Sequence, residues 1–264
     1  MDNPAQTYES YMVPVLFRPA AEQLLARARP RPGERVLDVG CGTGVVAREA
    51  AAILGSTGRV AGLDASPHML EVARAAGTAE ARAVEWREGR AEALPFREGE
   101  FDLVLCQYAL MFFADPAGAL AEMRRVLAAG GRAVLAVFQP IERHPFYELL
   151  DRAIERRLGG SGVRQIFALG DAGVLRDLVA KAGFARVEIE PASLRARFPA
   201  PDAFLAGEID VDTAAIPAMQ GLSAAERAAL TAAIQTEMAE PLRAVVSGGY
   251  VELTFHSHLV RASR

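Results

Sequence analysis

Three glycines at alternate positions, with an aspartate two residues before them, form the densest chemical signal in this sequence. The run is Asp38-Val39-Gly40-Cys41-Gly42-Thr43-Gly44. Glycines at such a turn let backbone approach a ligand closely. A helix starting behind them presents free N–H groups and partial positive charge. That combination suits a carboxylate or a phosphate. Asp64 ends the next apolar run, 20 residues after Gly44. A carboxylate there can accept both hydroxyls of a ribose. A dinucleotide site wants G-x-G-x-x-G. Here the third glycine comes one residue early and Val45 occupies the dinucleotide position, which disfavours a nucleotide-dependent oxidoreductase.

The surrounding pattern supplies the elements that must hold these residues. Apolar runs at 35–39, 59–63, 82–86, 101–106 and 132–138 predict five strands, with helices predicted over 43–54, 66–76 and 115–127. Ser66 is the expected N-cap of the second helix, with Pro67 at its first position. Strand and helix alternating in this way argue for a parallel sheet with helices on both faces. Beyond 138 the spacing predicts helices at 144–158 and 171–182, strands at 184–190 and 250–260, and a long Ala-rich helical stretch between them. Residues 199–248 exceed an ordinary connection and are expected to form a helical cap. Residues 1–32 are expected to be a helical cover broken by Pro14 and Pro19. The chain of 264 residues reads as one domain with this insertion.

Composition narrows the function classes. Basic and acidic residues number 29 and 33, for a net charge of −4, and no basic stripe is present, which argues against nucleic acid. Lys181 is the one lysine among the basic residues. No apolar stretch reaches the roughly 18 residues of a membrane span. Met1-Asp2-Asn3-Pro4 does not open a signal peptide. Two cysteines, Cys41 and Cys106, make neither a disulfide framework nor a zinc site and read as small buried side chains. A cytoplasmic protein acting on a small molecule is expected.

Four ordered motifs resemble the class I S-adenosylmethionine-dependent methyltransferases, over about residues 33–138. Asp38-x-Gly40-x-Gly42-x-Gly44 is similar to their first motif, and Glu88–Phe96 to their adenine loop. Phe101–Cys106 is similar to the strand after that loop, and Arg125–Arg132 to the entry of their fifth strand. The subgroup most resembled contains the quinone and small-molecule methyltransferases related to the ubiquinone/menaquinone C-methyltransferase family. The resemblance implies an α/β doubly wound, Rossmann-like fold with seven strands, the last antiparallel, and S-adenosylmethionine as cofactor. It implies that Gly40, Gly42 and Thr43 line the amino-acid end of the cofactor, with Gly44 starting the helix beneath. Asp38 would orient the loop or meet the ammonium group, and Asp64, with Ala65 beside it, would hold the ribose. Met69 would pack near the adenine or in the core, and Gln107 would sit under the methionine moiety. Arg90 departs from the pattern, because the family commonly has an acceptor there and Arg cannot accept. Either Ala91 handles the adenine through its backbone, with Arg90 stacked or turned to solvent, or adenine affinity is reduced. A protein that keeps the fold and binds the cofactor without transfer is the alternative that Arg90 leaves open.

Methyl transfer from a sulfonium needs alignment more than acid–base machinery, and a base only if the acceptor must lose a proton. His144, after the fifth strand, is the candidate base or substrate contact, against a plain loop histidine. His68 reads as exposed. His256 and His258 share a strand face, but no third ligand accompanies them, so no metal is expected. With the last strand antiparallel, its start near Gly249–Val251 would face the site and His256 would lie more than about 15 Å down the sheet. In the N-terminal segment Tyr8, Tyr11, Met12, Phe17 and Arg18 either cover the cofactor or dock for stability, with Tyr11 the best single contact. In the cap, Phe204, Leu205, Ile209, Ile216, Met219 and Leu222 either line an apolar substrate pocket or form the cap's own core. O- or C-transfer is preferred, because Cys106–Ala109 occupies the place of the amino-methylating Asn/Asp-Pro-Pro-Tyr/Phe signature.

Overall fold

The computed structural model describes residues 4–76, 83–160, 163–215, 219 and 221–264. Strands β1 (Arg35–Val39), β2 (Arg59–Asp64), β3 (Val84–Glu88), β4 (Phe101–Gln107) and β5 (Leu127–Phe138) run parallel. Further along the chain come β6 (Ala185–Phe198), the two-residue β7 (Val246–Ser247) and β8 (Tyr250–Ser263). The sheet order is β3-β2-β1-β4-β5-β8-β6, with β7 paired to β8. β8 is antiparallel to both β5 and β6. The Rossmann-like methyltransferase fold expected from the sequence is therefore present, with one short extra strand.

Helices cover both faces of the sheet. Val36, Leu37 and Val39 of β1, Leu103–Cys106 of β4 and Ala133–Val137 of β5 are buried, which is why these strands read as nearly continuous apolar runs. Helices α3 (Val45–Leu54), α4 (Pro67–Ala75) and α5 (Pro116–Val126) return the chain between parallel strands. Ser66 accepts the Met69 N–H and Asp115 accepts the Gly118 N–H, so these N-termini are capped by side chains. Helices α6 (Pro145–Leu158) and α7 (Ala172–Lys181) follow β5. Three more, α8 (Pro201–Ala215), α9 (Ala224–Glu237) and α10 (Ala239–Ala244), fill the connection between β6 and β7. Among the described residues no helix is long and apolar enough to cross a membrane.

Several elements differ from the sequence reading: β5 begins at Leu127 rather than 132, and β8 runs on to Ser263. β3 begins at Val84, two residues later than expected, and Arg82 lies outside the described residues. It is the sheet edge, where Arg87 and Glu88 are exposed, so its apolar pattern is interrupted. β6 runs on to Phe198, past Pro191. It is the opposite edge, and an edge strand tolerates a proline because the missing N–H faces no partner strand. Before the sheet, α1 (Pro4–Thr7) leads into a π-helix (Tyr8–Phe17) and then α2 (Arg18–Ala28). The Arg18 N–H bonds to the Val13 carbonyl five residues back, and Pro14 sits inside the widened turn.

Candidate active site

The strand order reverses between β1 and β4, and ligands in open α/β sheets sit beyond the carboxyl ends of strands at such a point. A cavity of about 590 Å³ lies there. Its near end is the glycine loop and the ends of β2 and β3. Its far end is apolar and is closed by α6, α8 and β8.

The near end is held by backbone hydrogen bonds and one carboxylate. The Gly40 and Cys41 N–H groups donate to the Leu63 carbonyl at 2.8 and 3.0 Å. Asp64 accepts the Gly42 N–H at 2.7 Å on one oxygen and the Ser66 N–H at 2.8 Å on the other. The Ala65 N–H is a third backbone donor to this carboxylate, which leaves acceptor capacity for a ligand. Burial pushes the Asp64 carboxyl up, opposed by these backbone donors. Gly40 has φ +70, and a Cβ there would stand 2.5 Å from that of Ala109. Only glycine fits.

Gly40, Gly42, Asp64, Ala65, Met69, Arg90, Ala91 and Gln107 all border this one cavity. Arg90 has a side chain 66% exposed and pairs with Glu92 at 3.5 Å, so of the two positions considered for it the guanidinium takes the one toward solvent. Ala91 is buried against the cavity. Gln107 donates from Nε2 to the Phe17 carbonyl at 3.0 Å. Its Oε1 is buried and has no hydrogen-bond partner among the described residues.

The remaining expected site residues stand elsewhere. Asp38 is buried beneath the loop and accepts the Ala47 N–H at 3.1 Å, so it orients the start of α3 rather than reaching the cavity. Burial pushes its carboxyl up to about 7. Thr43 and Gly44 lie behind the loop, outside the cavity lining. The Thr43 carbonyl is bound by Arg48, which also pairs with Glu9 of the π-helix at 2.7 Å. Gly44 caps α3 at φ +88, and a Cβ there would fall 2.2 Å from the Trp86 ring. Packing against Trp86, not ligand contact, requires this glycine.

Tyr11 also misses the cavity. Its ring packs 5.7 Å from that of Phe198, and Tyr8, Met12, Leu16 and Phe17 face the cavity instead. An α-helix would put Tyr8 and Tyr11 on one face. The wider π turn puts Met12 next after Tyr8.

His144, the candidate base, does not border the cavity, and both its ring nitrogens have partners. It is 2% exposed, its Nε2 accepts the His256 N–H at 2.9 Å, and its Nδ1 lies 3.2 Å from the Pro140 carbonyl. Those partners fix the neutral Nδ1–H tautomer. Desolvation pushes its pKa down to about 4. The side chain pins β8 to the loop after β5. His256 lies much nearer the site than the sequence reading placed it. β8 passes the end of β5 at Ser257, and Phe255 lines the cavity, because the β6–β8 pair projects beyond the parallel strands. His256 bonds to Ser193 at 3.0 Å and His258 to the Gly170 carbonyl at 2.9 Å. His68 is exposed beside Glu71. Cys41 and Cys106 are buried free thiols.

The far end contains residues that the sequence reading passed over. Tyr108 turns the chain at the end of β4 with φ +49, stacks on Phe138 at 4.0 Å and bonds to Ser257 at 2.8 Å. A non-glycine residue in that conformation stores strain of the kind found at ligand sites. Tyr147 and Glu208 meet across the cavity wall, with the phenol donating to the carboxylate at 2.7 Å. In the cap, Phe204, Leu205, Ile209 and Met219 are buried in the core and Leu222 packs on it, but none lines the cavity. Ile216 lies outside the described residues. The signal for Glu208 was a lone carboxylate within Phe204-Leu205-Ala206-Gly207-Glu208-Ile209.

A family model described as a methyltransferase domain matches residues 37–135. The demethylmenaquinone methyltransferase of Lactococcus lactis subsp. lactis is 35% identical over 178 residues, 60% of this chain and 68% of that protein. The chain belongs to the S-adenosylmethionine-dependent methyltransferases. The aklanonic acid methyltransferase of Streptomyces sp. strain C5 is 38% identical to this family member over 143 residues, 54% of this chain. That match spans 64% of the Streptomyces protein, less than two thirds of its length. The YcgJ protein of Bacillus subtilis shares the methyltransferase fold at 21% identity and TM-score 0.61, over 93% of this chain and 97% of that one.

The cavity of this family member fits the family's donor. The orphaned Gln107 Oε1 is an acceptor for an ammonium group. Asp64 keeps acceptor capacity for a hydroxyl beyond its backbone donors. Gly42 has open space where a Cβ would stand.

Proposed function

We propose that this chain transfers a methyl group from S-adenosylmethionine to oxygen or carbon of a small apolar or aromatic acceptor. The observation that carries the reading is one cavity with two unlike ends. Glycine backbone and the Asp64 carboxylate line one end, and the rings of Phe138, Phe167 and Phe255 line the other. Two relatives are named for methylation of aklanonic acid and of demethylmenaquinone, which supports a small-molecule acceptor.

When bound, S-adenosylmethionine supplies an electrophilic methyl group on a positively charged sulfonium. Asp64 would hold its ribose hydroxyls, and Gln107 Oε1 its ammonium. Ala91 and Met69 would flank the adenine. Tyr8, Met12, Leu16 and Phe17 roof the cavity and exclude water, and the Glu9–Arg48 pair fastens that roof to α3. Orientation and exclusion of water are what such a displacement chiefly needs.

Calorimetric titration with S-adenosylhomocysteine, followed by turnover assays on phenols and carbon acids, tests this. Binding together with methylation of any such acceptor is expected. A folded protein that does not bind S-adenosylhomocysteine would overturn the reading. Binding without turnover on any acceptor would mark a protein that holds the cofactor and transfers nothing.

A further inference from the structure

We propose that Glu208 takes a proton from an acidic hydroxyl on the aromatic acceptor, while Tyr147 positions the carboxyl. The inference rests on the methyl-transfer reading above and specifies its acceptor.

Glu208 sits on α8 at 2% exposure and borders the cavity. Its Oε2 accepts the Tyr147 hydroxyl at 2.7 Å, and its Oε1 is buried without a partner among the described residues. A buried acceptor left unpaired carries an uncompensated loss of hydration. A ligand that brings a donor removes that cost. The neighbouring walls are rings. Tyr147 lies 5.9 Å from Phe167 and 5.5 Å from Phe255, and Phe138 lies 5.6 Å from Phe167. Such walls accommodate a flat apolar body, so the donor arrives on an aromatic molecule.

The charge setting favours proton transfer over a permanent ion pair. Arg90, at the other end, is the one cationic side chain among the described residues lining the cavity. Burial pushes the Glu208 carboxyl up to about 7, opposed by the Tyr147 bond. Among the described residues the titratable groups facing it are Tyr147 from α6 and Tyr11 from the π-helix, whose own phenol is pushed up by burial and by Glu208. β8 contributes Phe255 to the same wall. A carboxyl poised near neutral pH is a suitable general base. In the step, the acceptor O–H bond breaks and its electron pair stays on the acceptor oxygen. The proton forms a new O–H bond at Glu208 Oε1. The oxygen, or the ring carbon conjugated to it, is then the nucleophile.

The test uses the protein saturated with S-adenosylhomocysteine, titrated with 2-naphthol and with 2-methylnaphthalene. The wild type should prefer 2-naphthol by about tenfold or more. That preference should grow as pH rises through about 7, as Glu208 ionises. Glu208→Leu should abolish the preference. Glu208→Gln still offers a hydrogen-bond acceptor but takes no proton. It should keep part of the preference, lose its pH dependence and slow turnover. Tyr147→Phe should move the pH midpoint upward, because the carboxylate loses a donor. A Glu208–Tyr147 contact that only ties α8 to α6 would leave probe selectivity and its pH profile unchanged in every variant that still binds S-adenosylhomocysteine, and would overturn the proposal. A larger Glu208-dependent gain for 2-naphthylmethylamine would overturn it in favour of an ammonium acceptor. If the Glu208 variants do not fold, the Tyr147→Phe midpoint decides alone. Wild-type protein that fails to bind S-adenosylhomocysteine brings down the methyl-transfer reading itself, and this proposal with it.

Discussion

The two ends of the cavity are built in opposite ways. The glycine-loop end is made by chain segments that follow one another closely, Gly40–Gly42 and Asp64–Met69, and backbone hydrogen bonds set its shape. The aromatic end gathers single side chains from Tyr108, Phe138, Tyr147, Phe167, Glu208 and Phe255, which lie far apart in sequence. A shape set by backbone leaves the near end little room to vary. Side-chain binding leaves the far end free to change acceptor without disturbing the fold. Substitutions should therefore separate cleanly into those that damage donor binding and those that alter acceptor choice.

The largest effect should come from Gly44→Ala. The added Cβ meets Trp86 at 2.2 Å at a residue with φ +88. A loss of about 3 kcal/mol or more in urea denaturation is expected from overpacking plus left-handed strain. A loss below about 1 kcal/mol would show the Trp86 contact to be soft. Next, Asp64→Ala should weaken S-adenosylhomocysteine about 30- to 100-fold by calorimetry, the loss expected for hydrogen bonds to a charged group. At saturating S-adenosylhomocysteine its preference for 2-naphthol should match the wild type. A changed preference would mean the two ends are coupled.

His144 links the far end to stability rather than to chemistry. Its pKa falls from 6.5 to about 4 in the folded chain, so the unfolded chain binds the proton first as pH drops. The stabilisation is fully present above pH 6.5 and is lost as pH falls toward about 4, on the order of 3 kcal/mol in all. Denaturation midpoints across that window should show the loss, and His144→Gln should flatten it while S-adenosylhomocysteine affinity at neutral pH stays within about twofold. The smallest effect should be that of Arg90→Ala. Because the guanidinium is mostly exposed, S-adenosylhomocysteine affinity should change by less than about threefold.

The same contrast explains what the sequence disclosed. Asp64 and the glycines were legible because their spacing follows from the strand-turn-helix geometry that makes them useful. The parallel strands were legible because burial on both faces leaves an unbroken apolar run. Tyr11 was misplaced because nothing in Tyr8–Phe17 announces a π turn except Pro14, and Pro14 suggested a break. His144 looked catalytic by its position, yet the strand it pins comes more than a hundred residues later. Glu208 and Phe255 carried no local pattern, since only the assembled sheet and cap bring them together.

The placement of β8 bears on how the molecule is made. This strand inserts between β5 and β6, although both are synthesised well before it. While the chain is emerging, β5 has nearly every side chain from Arg132 to Phe138 committed to the interior and one row of backbone groups without a partner strand. An open, apolar sheet edge of that length is a template for pairing with other chains. The nascent protein must keep that edge covered until β8 arrives, so interruption of synthesis between β6 and β8 should yield aggregates rather than a smaller folded unit.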